Sequence, residues 1–184
     1  KQVTAQPRQI NYENQLAVDI LKISEHSSSF ILEDESKSIG TVHVPLPLFN
    51  SMSSAPMVVI DDPLEIRYQR LCDEYCTTMS KKFSAALGEE SGWQAYDEYL
   101  HRGLYGIRKR LGLEKFKALN GVLDDALTVQ KNTGSAEAHL NWIAAILKDY
   151  YDPMYQYQLS KKAHRIQFTG TSQEVKEWLL VNKK

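Results

Sequence analysis

The chain has 184 residues, enough to bury one full core or a core with a smaller appendage. Its 22 Lys and Arg against 23 Asp and Glu leave a net charge of -1, which excludes a polyanion binder held by bulk charge but not one with a local basic face. Hydrophobic content of 42% and charged content of 24% are those of an ordinary globular protein, and aliphatic runs as short as Met57 to Ile60 exclude a membrane-spanning helix.

In chain order, an opening helix is predicted over Arg8 to Ile23, with Leu16, Ala17, Ile20 and Leu21 on one face. The Ser27-Ser28-Ser29 break leads to a first strand at Phe30-Ile31-Leu32 that ends in Glu33, Asp34 and Glu35. Pro45-Leu46-Pro47 stiffens a loop before a short helix near Leu48 to Ser53, and a second strand follows at Met57 to Ile60. Asp62 then reads as the cap of a helix with Pro63 first and Glu65 third, carrying Arg67 and Arg70 and an apolar face of Leu64, Tyr68, Leu71, Tyr75 and Met79.

From Gly88 the pattern is helix after helix. One stripe runs through Trp93, Tyr96, Leu100, Leu104, Ile107 and Leu111, a second through Leu113, Phe116, Leu123 and Ala126, and a third through Leu140, Ile143, Ala144, Leu147 and Tyr151. Asp152-Pro153 starts a further helix through Lys162, Arg165 to Thr169 reads as a strand, and Thr171 with Glu174 forms a capping box for a last helix. The expected class is α/β, predominantly helical: residues 1–79 and 163–184 form a partial sheet-bearing core, and residues 80–162 form a helical insertion.

Ligands in open α/β sheets sit beyond the carboxyl ends of the strands. Carboxylates there can hold a hydrated metal and arginines can grip phosphate. Glu33, Asp34, Glu35, Arg67 and Arg70 are therefore phosphate- or metal-handling candidates, with Arg67 and Arg70 able to face one cleft. The bland alternatives are a solvated acidic turn and helix salt bridges such as Arg70 to Glu74. A glycine-rich phosphate loop, G-x-x-x-x-G-K-[ST], is absent, because none of the nine glycines precedes a lysine.

Arg102, Arg108, Lys109, Arg110, Lys115 and Lys117 face one Glu between His101 and Lys117, a local excess that suits a nucleic-acid backbone or, alternatively, a plain solvated face. Tyr150, Tyr151, Tyr155 and Tyr157 crowd the next candidate segment; tyrosines stack on unpaired bases and also fill helix seams. Cys72 and Cys76, four apart on a helix, read as reduced structural thiols, and the five histidines show no metal-ligand spacing.

Several words together resemble tRNA 2-selenouridine synthase: Gln6-Pro7-x-Gln9, Tyr12-Glu13-Asn14-x-Leu16-Ala17, and Glu33-Asp34-Glu35-Ser36-x-x-Ile39-Gly40. Glu74-Tyr75, Gly92-Trp93-x-Ala95-Tyr96, Arg108-x-Arg110-Leu111-Gly112, Gly134-Ser135-x-Glu137-Ala138-His139 and Tyr150-Tyr151-Asp152-Pro153-Met154-Tyr155-x-Tyr157-Gln158 continue the likeness in order to the later part of that family. The resemblance implies a P-loop-type core, here incomplete, with a lid-like helical insertion, in an enzyme that also carries a rhodanese-like domain with an active cysteine. It implies replacement of sulfur by selenium in the wobble 2-thiouridine of tRNA, with selenophosphate and geranyl diphosphate as substrates and a geranylated intermediate. Mg2+ is an expected companion of the phosphate site. The implied partner is the anticodon region of tRNA, met by the basic residues with Tyr151 and Tyr155; the polar Lys1 to Gln9, which does not read as a signal peptide, makes the cytoplasm the expected compartment. No residue here matches the rhodanese-like cysteine or the P-loop, so no catalytic residue is assigned and these residues alone are expected to be inactive. The competing readings are a degenerate P-loop kinase or ATPase and a non-catalytic helical interaction module.

Overall fold

The computed structural model describes residues 6–27 and 29–182. Residues 1–5, 28, 183 and 184 lie outside the described residues, and with them the middle of the serine break and the outermost positions of the expected α/β part. The chain is mostly helical and divides into two compact units: Asp62 to Lys162, and the segment up to Asp61 with the segment from Ala163. The structural boundary thus falls at 61/62 rather than 79/80. Leu71 and Tyr68 explain the shift, because they pack on a helical core of Cys72, Cys76, Ile143 and Leu147.

In the α/β unit, helix α1 (Gln9–Ser24) is followed by a short antiparallel hairpin of β1 (Ser38–Ile39) and β2 (Val42–His43). Two glutamine side chains dock the start of the chain on it. Gln6 Nε2 donates to the Ile39 carbonyl at 2.6 Å while its Oε1 accepts from the Thr41 N–H at 2.9 Å. Gln9 likewise brackets His43, donating to its carbonyl and accepting from its N–H, both at 2.8 Å. Each amide reproduces the donor–acceptor pair of a neighbouring strand.

Helix α2 (Leu46–Ser54) precedes β3 (Met57–Ile60), which pairs in parallel with β4 (Ile166–Gly170); helix α10 (Ser172–Val181) follows. A parallel pair cannot be closed by a hairpin, and here the whole stretch from Asp62 to Lys162 lies between its strands in sequence. Arg165 donates to the Met52 and Ala55 carbonyls at 2.7 and 2.8 Å, fastening the start of β4 to the end of α2. The capping box at Thr171 and Glu174 forms as expected from the sequence, and Trp178 stacks on Phe168 at 5.7 Å between ring centroids.

Two sequence expectations fail here. Among the described residues, 29–36 form no strand, and Phe30, Ile31 and Leu32 are exposed. An apolar run becomes a strand only where a neighbour accepts its backbone bonds, and the backbone bond this stretch makes is the local Glu35 N–H to Glu33 carbonyl, 2.8 Å. Asp62 does not cap α3 (Leu64–Leu71): Pro63 holds the N-cap position without a side-chain bond, and the Asp62 carboxylate instead takes Arg70.

The helical unit begins with α3, runs through a π-helical stretch Cys72–Thr78 into α4 (Met79–Leu87), and continues through α5 (Glu89–Gly106), α6 (Arg108–Leu111) and α7 (Leu113–Thr133). Helix α8 (Leu140–Ile146), a second π-helical stretch Leu147–Tyr151 and α9 (Asp152–Lys161) complete it. Its core gathers Phe83, Tyr96, Leu100, Leu104, Leu111, Leu119, Leu123, Leu127 and Ile146. The α5 stripe is therefore as expected, whereas Leu113 of the second stripe stands 67% exposed and Leu119 and Leu127 take its place inside. Gly92 lets α5 close on α4, since a Cβ there would lie 2.6 Å from the Phe83 carbonyl oxygen and the Ser84 Cα. Gly134 ends α7 in the left-handed conformation at φ 76°, its N–H bonded to the Gln130 carbonyl.

A candidate RNA-binding surface and candidate phosphate-handling residues

In the α/β unit, Glu33, Asp34 and Glu35 lie exposed on the extended stretch after Leu32. Asp34 sits 3.4 Å from the Arg165 guanidinium, whose other donors face α2. In the helical unit, Arg67 and Arg70 stand three residues apart on α3, hence on one face of the helix. Each meets a carboxylate: Arg67 uses both terminal nitrogens on Asp152, and Arg70 reaches the buried Asp62 at 2.7 Å. A two-point fork fixes the plane of a guanidinium as well as its position. The i, i+4 partner Glu74 considered from sequence is not the carboxylate Arg70 contacts here. Among the described residues, no three His, Cys, Asp or Glu side chains gather to hold a metal ion.

The basic segment and the tyrosine run, forty residues apart, come together within the helical unit. Arg110 donates to the Tyr150 hydroxyl at 2.5 Å, and Lys115 reaches Asp149 at 3.0 Å. Tyr150 packs edge-on against Tyr151 at 4.7 Å, and Tyr151 stacks with Tyr155 at 6.3 Å and 23° between planes. Burial and the neighbouring Tyr150, Tyr155 and Tyr75 hydroxyls push the Tyr151 hydroxyl above its ordinary range. Arg108 lies over the Tyr105 ring at 3.6 Å, and Arg102 is 3.8 Å from Glu98 on an exposed helix face. Lys109 and Lys117 point to the exposed side of the segment.

The sequence singled out the basic and tyrosine segments separately, and the structure places them in contact. Asp149 and Asp152, which pair with Lys115 and Arg67, were not singled out from the sequence as site-forming groups, and Tyr150 was noted only as one of the four tyrosines. Their one sequence signal is position: they flank Tyr151 at the junction of α8 and α9, where acids read simply as a helix start.

Fold and surface together define a helix-rich α/β protein with a basic, tyrosine-bearing face. Comparison with known proteins gives the family. Residues 1–184 match the family model described as the tRNA 2-selenouridine synthase AAA domain, and the chain belongs to that family. It is 71% identical over 184 residues to a tRNA 2-selenouridine synthase of Psychromonas ingrahamii, covering 100% of this chain and 50% of that protein. It is 49% identical over 173 residues to one of Salmonella paratyphi A, covering 93% and 48%, and 49% identical over 176 residues to one of Proteus mirabilis, covering 96% and 49%. The chain spans about half the length of these curated relatives. No solved structure matches it. No helix among the described residues is long and apolar enough to cross a membrane.

Proposed function

We propose that this chain is the tRNA-engaging part of a cytoplasmic enzyme that replaces sulfur by selenium in the wobble 2-thiouridine of tRNA, through a geranylated intermediate. Family membership and the names of the relatives support the tRNA-modifying role. The observation that carries this chain's share of it is the Arg110–Tyr150 contact, which joins the cationic segment to the aromatic one. Cations there attract the phosphate backbone, and tyrosines suit the unstacked bases of an anticodon loop.

Arg70 is the proposed grip for phosphate groups of selenophosphate or geranyl diphosphate, and Arg67 the proposed grip for a phosphate of the tRNA. Their carboxylate partners hold them in place before the anion arrives, which lowers the ordering cost of binding. Mg2+ would be held by one or two of Glu33, Asp34 and Glu35, the number of carboxylates this ion usually takes from a protein. The 184 residues lack a glycine followed by lysine, so on this reading they do not catalyse the exchange alone.

The test is tRNA binding by the chain with Arg108, Lys109 and Arg110 reversed to glutamate together. The unmodified chain should bind tRNA in a salt-sensitive manner. Loss of three phosphate contacts should cut the log–log salt slope by about 2 to 3. Unchanged affinity in the triple variant would overturn the proposed surface.

A further inference from the structure

We propose that Tyr155, Tyr151 and Arg67 form a seat for one unpaired nucleotide of single-stranded RNA, with Asp152 as the positioning residue that aims Arg67. The proposal rests on the RNA reading above and adds which part of the RNA is held, and by what.

The π-helical stretch Leu147–Tyr151 carries the argument. A π turn is wider than an α turn and changes the direction in which successive side chains leave the helix. At its end, four consecutive residues meet four different neighbours: Asp149 meets Lys115, Tyr150 meets Arg110, Tyr151 meets Tyr155, and Asp152 meets Arg67. An aromatic pair is thereby flanked by two arginines, Arg110 by way of Tyr150 and Arg67 by way of Asp152.

Tyr155 is 52% exposed, with the half-buried Tyr151 stacked behind it. Two other exposed tyrosines differ, since Arg108 lies over the Tyr105 ring and Lys161 over the Tyr157 ring at 4.2 Å. The Arg67 side chain keeps 28% of its surface exposed beside the Asp152 fork. Asp152 and Tyr155 stand three residues apart on α9, hence on one face of the helix, so the guanidinium forked on Asp152 belongs to the side of α9 that carries the backed Tyr155 ring, a pairing that suits a base and the phosphate of the same nucleotide. A duplex offers no open base face, so the ligand class is single-stranded.

The test is a fluorescence titration of labelled pentauridylate, a duplex RNA of equal length and tRNA against the full chain at two salt concentrations. Tyr155→Ala should weaken pentauridylate binding roughly 5- to 100-fold, the range for one lost base stack, while Tyr155→Phe should retain it. Asp152→Asn separates positioning from charge. It removes one negative charge from the chain, so simple electrostatics would tighten RNA binding. Loss of positioning should instead weaken it about 10-fold and lower the salt slope by about 0.7, one phosphate contact on a single strand. Asp152→Glu should recover part of the loss.

Tighter binding by Asp152→Asn, unchanged binding by Tyr155→Ala, or equal binding of duplex and pentauridylate overturns the seat. If any of these occurs while the Arg108, Lys109 and Arg110 reversal still abolishes tRNA binding, the seat falls and the RNA reading stands. If the chain binds neither RNA, both fall.

Discussion

Trp142 donates its indole N–H to Nδ1 of the fully buried His139 at 2.8 Å. An indole nitrogen only donates, so Nδ1 must be the bare nitrogen and the ring proton sits on Nε2. That proton goes to Gln130 Oε1 at 2.9 Å, which also accepts from the Tyr96 hydroxyl at 3.1 Å. Gln130 Nε2 then donates to the Cys76 carbonyl at 3.3 Å, tying α5, α7, α8 and the first π-helical stretch together. Burial pushes the His139 pKa from 6.5 down to about 4, and burial pushes the Cys76 thiol up.

His139 should accordingly remain neutral in the folded chain. Its folded pKa lies below the unfolded one, so its contribution to stability is complete above pH 6.5 and is lost as pH falls toward 4. Ring nitrogen NMR should show the Nε2–H tautomer, with titration only near pH 4. Trp142→Phe leaves Nδ1 buried without a donor and should cost about 1–3 kcal/mol at pH 7. A His139 ring that titrates near 6.5 would break this account.

His101 should tilt the profile the other way. Burial alone would lower its pKa, but the bond to Asp124 at 2.8 Å and the contacts with Asp97 carry it above the ordinary value. Both ring nitrogens face oxygens, which favours the doubly protonated ring. Its stabilisation is present below pH 6.5 and is lost as pH rises through the folded value. Urea midpoints should show His101→Gln losing more stability at pH 5.5 than at pH 8.5. Equal losses at both pH values would argue against a charged His101.

Two glycines on α5 should respond oppositely to alanine. At Gly92 the new Cβ meets backbone at 2.6 Å, which cannot yield as a flexible side chain can, so the loss should reach at least about 2 kcal/mol. At Gly103 nothing lies within 4 Å, and alanine should stabilise the helix by roughly 0.5–1 kcal/mol. Thermal melts of the two variants decide it.

Arg67→Ala in the longer protein should lower turnover several-fold or more. Its partner Asp152 keeps only 19% of its side chain exposed, so losing the guanidinium strands a mostly buried carboxylate and should also cost about 1–3 kcal/mol of stability. Steady-state rates beside a urea titration separate the two effects. Full turnover would leave Arg67 as a structural partner of Asp152.

Nucleoside triphosphate should bind these 184 residues weakly at best. In P-loop proteins the phosphates are held largely by loop amides and a lysine that follows a glycine, and no such dipeptide occurs here. Calorimetry showing micromolar ATP binding would promote the kinase reading instead.

Short-range patterns were legible in the sequence because they act through the backbone nearby. The Thr171–Glu174 box, the β3 and β4 runs, the Trp93-to-Leu111 stripe and the basic stretch each encode a local conformation or a local charge. The same local rule misled at Phe30–Leu32 and at Asp62, where the outcome depended on a partner rather than on the residues themselves. Partners far apart in the chain were decided only by tertiary structure. Arg67 finds Asp152 across 85 residues, Arg110 finds Tyr150 across 40, and Gln130 reaches Cys76 across 54. A carboxylate, a hydroxyl or a carbonyl accepts a bond from any donor that packing brings within reach. The sequence therefore determined which groups were available and which helices would carry them, and the packing of those helices determined which groups meet.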